Sequence, residues 1–135
     1  MAVGNRYLEC DTRSVASAIS AASQAFTFVN LTSAGAVVPT NANTDFPFGV
    51  IQDLANRGEM CTVAVKGETK VRAGSADLAV GDIIGADSTG RAIKLTPGTS
   101  TGFYAVGRVT HVDGSDNDGA LVTARIDCTV ANRNF

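Results

Sequence analysis

Only a handful of residues in this chain are of types that do chemistry, so their spacing is weighed first. Three cysteines, Cys10, Cys61 and Cys128, stand too far apart for a zinc or redox motif, and an odd number cannot pair completely within one chain. Cys61 and Cys128 each sit in an alternating apolar run, where a thiol behaves as a small hydrophobe. Unpaired thiols predict a reducing compartment. The single histidine, His111, closes another apolar run; as a general base it would need a nucleophile and an orienting carboxylate beside it. The acidic run Asp113–Gly119 resembles a calcium loop. Placing Gly119 at that loop's obligatory glycine, however, puts Gly114 at the first ligand and Arg125 where a bidentate glutamate belongs. A hairpin loop accounts for the same residues. Gly81-Asp82-Ile83-Ile84-Gly85 lacks the Lys-Ser/Thr of a phosphate loop and the GxGxxG spacing of a dinucleotide site, and reads as a turn feeding a strand. The expectation is no catalytic residue, no cofactor and no metal site.

The elements that would position these residues are short strands. Val122, Ala124, Ile126, Cys128 and Val130 alternate with Thr123, Arg125, Asp127 and Thr129, the strongest period-two run in the chain. Cys61, Val63 and Val65 alternate with Thr62, Ala64 and Lys66 until Gly67, which is expected to break the run. Beyond it, Glu68, Lys70 and Arg72 make a solvated face opposite Thr69, Val71 and Ala73. Further strands are predicted over Phe26 to Leu31, Gly35 to Thr40, Phe46 to Gln52, Ile83-Ile84, Ala92 to Thr96 and Tyr104 to Val112, with Pro39 stopping its strand or pushing it to an edge. Residues 14–25 place Val15, Ala18, Ile19 and Ala22 at helical spacing behind Ser14 as a cap, so this stretch is a short helix or a strand. Residues 1–13 show no apolar alternation and read as an extended arm. The fold predicted is mainly β: a small Gly-rich β-barrel or sandwich over residues 26–135, preceded by the arm and short element of residues 1–25.

Composition agrees with that architecture. The chain has 135 residues, one domain by size, with 44% apolar and 18% charged residues. Ala, Val, Thr and Gly together supply 63 of them, and there is no tryptophan. Eleven basic against thirteen acidic residues give a net charge of −2, too little field to grip nucleic acid. Lys66, Lys70, Arg72, Arg91, Lys94, Arg108 and Arg125 are also interleaved with acids and have no aromatics among them. No apolar stretch approaches the length of a membrane span, and no signal peptide is visible.

From Phe48 to Asp127 the chain resembles the phage capsid cement, or head decoration, family. The resemblance is carried by Phe48-Gly49-Val50, by Arg57-Gly58-Glu59 leading to Val63-Ala64-Val65-Lys66-Gly67, and by Val71-Arg72-Ala73-Gly74. It continues through Leu78-Ala79-Val80-Gly81-Asp82-Ile83-Ile84 and Asp87-Ser88-Thr89-Gly90-Arg91-Ala92. Val106-Gly107-Arg108-Val109 and Ala120 to Ile126 complete it. Order and spacing carry the specificity, since each piece is ordinary Gly-Asp turn chemistry. The resemblance implies a β-rich structural protein, often trimeric, that binds the outer surface of an icosahedral head and bridges capsomers of the major capsid protein. It implies no enzyme activity.

On that reading the arm becomes the candidate anchor. Arg6 and Arg13 are suited to acidic patches on a neighbour, Tyr7 and Leu8 to an apolar groove. Fully extended at about 3.3 Å per residue, such an arm reaches roughly 40 Å. Two other classes compete. A biotinyl or lipoyl carrier barrel needs a lysine at a hairpin tip, and Lys66 lacks the flanking residues for modification. A glycan-binding adhesin module wants exposed aromatics, and the chain has two Tyr and six Phe.

Overall fold

The structure, a computed structural model, describes residues 8–42, 45–75, 77–100, 102–113 and 118–131. Among the described residues, nine strands form a single antiparallel sheet. They are β1 (Leu8–Ser14), β2 (Phe28–Leu31), β3 (Val37–Pro39), β4 (Gly49–Ile51), β5 (Met60–Arg72), β6 (Ile83–Ala86), β7 (Ala92–Lys94), β8 (Gly107–His111) and β9 (Leu121–Asp127). Their order is β3-β2-β4-β5-β9-β8-β6-β7, with β1 paired to β5. Small β-branched residues keep the strands extended, and glycines in the left-handed region turn the chain between them; Gly90, for instance, has φ +81°.

The 13-residue β5 is the spine. β1 pairs with Met60 to Gly67, β4 with Val63 and Ala64, and β9 with Lys66 to Arg72. Residues paired twice fix the edges: Val63 and Ala64 bond both β1 and β4, while Lys66 and Gly67 bond both β1 and β9. So β4 and β9 follow one another along one edge of β5, and β1 takes the other.

Gly67 does not break this strand. It sits at φ +118°, beside a register shift in which Glu9 faces Lys66 but Cys10 faces Ala64. The unpaired Val65 is a β-bulge, and it changes which face each residue presents. Before the bulge, Cys61, Val63 and Val65 join Val15, Ile19, Val29, Val37 and Ile51 in one core. After it, the odd-numbered Val71 and Ala73 join Phe28, Ile84, Val109, Val122 and Ile126 in a second core, to which the even-numbered Ala64 also belongs. One strand thereby serves two cores.

Both ends of the sheet curl back to its middle, one to the end of β1 and the other to the end of β5. Val15, just past β1, bridges Val37 of β3, and Ala73, just past β5, bridges Ala92 of β7. The result is a curled, barrel-like β fold, as expected. Of the two readings for Pro39, a stop or an edge, both describe it: Pro39 is the last residue of β3, and β3 ends the path.

Two local readings change. The stretch 14–25 is neither a helix nor a strand along its length: Val15 and Ile19 are buried and held by single bridges to Val37 and Ala55, and only Ala22–Gln24 turns, as one 3₁₀ turn. The segment read as an arm is, from Leu8 on, strand β1. Its residues are mostly exposed because it lies on the rim of the sheet, so no apolar alternation marks it. Among the described residues no helix is long and apolar enough to cross a membrane.

Candidate docking surface

β9 buries Val122, Ala124 and Ile126 and turns Thr123, Arg125 and Asp127 to solvent. β8 does the same with Val109 buried and Arg108 outward, and a register shift between Val109 and His111 leaves Thr110 unpaired. Cross-strand register then sets Ile83, Arg108, Arg125 and Glu68 in one row over β6, β8, β9 and β5.

Three hollows cross this solvent face. The first, about 470 Å³, lies among Ile83, Ala105, Val106, Arg108, Arg125 and Asp127. The second, about 380 Å³, lies among Glu68, Thr110, His111 and Thr123. The third, about 350 Å³, is lined by Leu8, Phe26, Gln52, Lys70 and their neighbours. Thr110 lines the first two, and Glu68 and Thr123 line the last two, so they make one trough from β6 to the start of β1.

Its acids are held by other groups. Glu68 Oε2 accepts from Thr110 Oγ1 at 3.3 Å. Asp127 accepts from the Thr129 hydroxyl and, at 3.0 Å, from the Thr129 backbone N–H, which lowers its carboxyl below the usual value; Lys66 stands 3.9 Å away. Arg108 and Arg125 have no ion pair among the described residues.

The residues whose types could do chemistry are scattered. Cys10 is exposed, whereas Cys61 and Cys128 are buried in different cores. Burial pushes the Cys128 thiol up to about 12, with the Asp127 charge adding to it; burial raises Cys61 too, with Asp53 second. His111 meets Asp113 at 3.1 Å, with no cysteine beside it. Residues 114–117 of the acidic run lie outside the described residues, and β8 and β9 flank the run as the hairpin expected. Among the described residues no group of three or more His, Cys, Asp or Glu could hold a metal ion.

Of the anchor residues read from the sequence, Arg6 and Tyr7 lie outside the described residues. Leu8 is 36% exposed at the end of the trough. Arg13 is engaged within the chain: it grips Asp11 at 2.9 Å, donates to the Gly35 carbonyl at 3.4 Å and covers the Phe48 ring at 5.2 Å. Leu8 and Arg13 sit at opposite ends of β1, roughly 17 Å apart at about 3.4 Å per residue, so the structure does not bring them together. The Arg108–Arg125 pair was missed in the sequence. The two residues lie on separate runs, and only the β8–β9 register opposes them.

A search of curated proteins returns no match. Among solved structures, the N base of head fiber gp8.5 in bacteriophage phi29 is similar, with a TM-score of 0.60 at 20% sequence identity, over 96% of this chain and 98% of that chain. At that identity the likeness is one of fold. A family model described as phage cement protein matches residues 13–126, from the end of β1 almost to the end of β9 and most of the chain's length. That span takes in the whole β5 spine and every buried residue of both cores but Cys128, and the chain belongs to the phage cement protein family.

Proposed function

We propose that this protein binds the outer surface of an icosahedral phage head as a homotrimer and bridges neighbouring capsomers of the major capsid protein, with no catalytic step. The observation that carries the reading is the family match over 13–126, which supports a structural role in the capsid. The architecture suits that role. A sheet whose ends are bridged back to the ends of β1 and β5 is stiff, and a stiff clip transmits load between the subunits it joins. One domain of this size covers little of a capsid, so three copies held together gain through effective concentration what one copy lacks.

The test is co-sedimentation with undecorated, expanded heads, together with the sedimentation behaviour of the free protein. Saturable binding by a trimer is the expected result; a monomer at both micromolar and capsid-like concentrations, or no binding to heads, counts against it. A second reading, favoured by the fold match to the head fiber base, is a capsid-bound base for a projecting fibre. Electron microscopy of decorated heads separates the two: cement gives low knobs, a base gives long projections.

A further inference from the structure

Like charges placed directly opposite each other on neighbouring strands cost stability. Arg108 and Arg125 stand in that relation on β8 and β9, both exposed, with their Cβ atoms about 5 Å apart by strand geometry. Relief within the free protein is one-sided. Glu68 lies opposite Arg125 on β5, also accepting from Thr110, whereas Arg108 faces only Ile83 and Arg125 across its two strand pairings. Asp127 is bonded by Thr129 and faces Lys66. Lys70 adds a third exposed cation further along the same trough.

The hollow beside the pair has apolar walls at Ile83, Ala105 and Val106. Two guanidinium forks at the rim of an apolar hollow complement one kind of occupant: a chain segment with carboxylates for the forks and small apolar side chains for the walls. A lone phosphate or sulfate would leave the apolar walls uncovered.

We infer that the β8–β9 face is the docking site for an acidic segment of the capsid partner, with Arg108 and Arg125 each pairing a carboxylate. The inference rests on the capsid-binding reading and adds the chemistry of the contact. Docking converts the opposed charges from a repelling pair into two ion pairs, so the residues that cost the free protein stability are those that hold the complex.

The experiment uses the full chain, labelled with ¹⁵N, and a synthetic hexapeptide alternating Glu and Val as the probe, with a Lys-for-Glu peptide as control. The acidic peptide is expected to shift the amides of Gly107–Thr110 and Ala124–Asp127, more weakly as salt rises, with no shifts from the control. R108Q/R125Q is expected to weaken the acidic peptide by about tenfold or more while its melting temperature stays level or rises, which a merely structural role would not produce. Equal peptide affinity in the variant, or shifts centred on another face, would overturn the inference. Should the double variant fail to fold, R125Q alone carries the same comparison. Co-sedimentation with undecorated heads separates the two levels. Wild type that binds while R108Q/R125Q does not supports the contact, and equal binding by both overturns it. Wild type that fails to bind removes the capsid reading, while the peptide titration still judges the face. Dispersal of the free trimer in R108Q/R125Q would assign the face to a second copy of this chain and overturn the capsid contact.

Discussion

Arg72 shows how much of this fold hangs on single side chains. Its guanidinium donates to the carbonyls of Gly119 at 3.0 Å, Ala22 at 3.1 Å and Ala25 at 3.2 Å, tying β5 to two loops distant in sequence. Its Nε is buried without a partner among the described residues, a cost accepted for the other three bonds. Arg72→Ala is expected to lose about 2 kcal/mol in urea denaturation, and Arg72→Lys to recover less than half, since one ammonium cannot span three carbonyls. The cysteines give a second prediction. The Cys128 thiol ionises at about 12 when folded against an ordinary 9.0, so above pH 9 the unfolded chain sheds a proton that the folded chain keeps. Stability therefore holds below pH 9 and falls as pH rises toward 12. Cys128→Ala should flatten that fall in urea titrations between pH 8 and about 10.5. With a thiol reagent at pH 8, only the exposed Cys10 should react before unfolding.

At the scale of elements, the bulge in β5 carries the most consequence. Gly67 lies at φ +118°, where a side chain strains the backbone, so Gly67→Ala should cost about 1–3 kcal/mol by equilibrium unfolding. Gly49 is constrained differently: a Cβ there would press on the Ala64 carbonyl across the β4–β5 pair, and Gly49→Ala should destabilise by a similar amount. The bulge also explains what the sequence could and could not disclose. β9 was legible because it is half-buried, and Val122, Ala124 and Ile126 repeat every second residue. β5 was legible in two halves only. Its buried residues, Ala64 apart, stay odd-numbered on both sides of Gly67, yet the extra residue of the bulge moves them from one core to the other, so Gly67 looks in sequence like an ending and is in the structure a change of face. β1 left no pattern because a rim strand with little buried area needs none. Val15 and Ile19 were rightly singled out as apolar, but four-residue spacing also fits two separate bridges. The docking face was hidden for a related reason: register, which brings Arg108 to Arg125, is a property of pairs of strands.

For the molecule as a whole, the structure alters what the N-terminal segment can be asked to do. As a free arm, residues 2–13 would be removable without harm to the β domain. Since Leu8 to Arg13 pair with Gly67 to Cys61, their deletion strips one edge from the spine. Removing residues 2–13 should thus lower the melting temperature by about five degrees or more, and any loss of head binding must be read against that loss of fold. A finer measurement is Leu8→Ala, which leaves the strand backbone intact. If the start of β1 contributes to docking, this variant binds undecorated heads more weakly at an unchanged melting temperature.

The shared spine also governs how the protein is made. β5 lies mid-chain, yet its partners β1, β4 and β9 come from before and after it, with β9 ending at Asp127. A nascent chain that has emerged only as far as β8 lacks the strand that covers the second half of β5, so its second core stays open. Pairings this distant in sequence form late and slowly. The chain therefore completes its fold only after β9 has left the ribosome, and a copy terminated before β9 leaves its second core open to proteolysis.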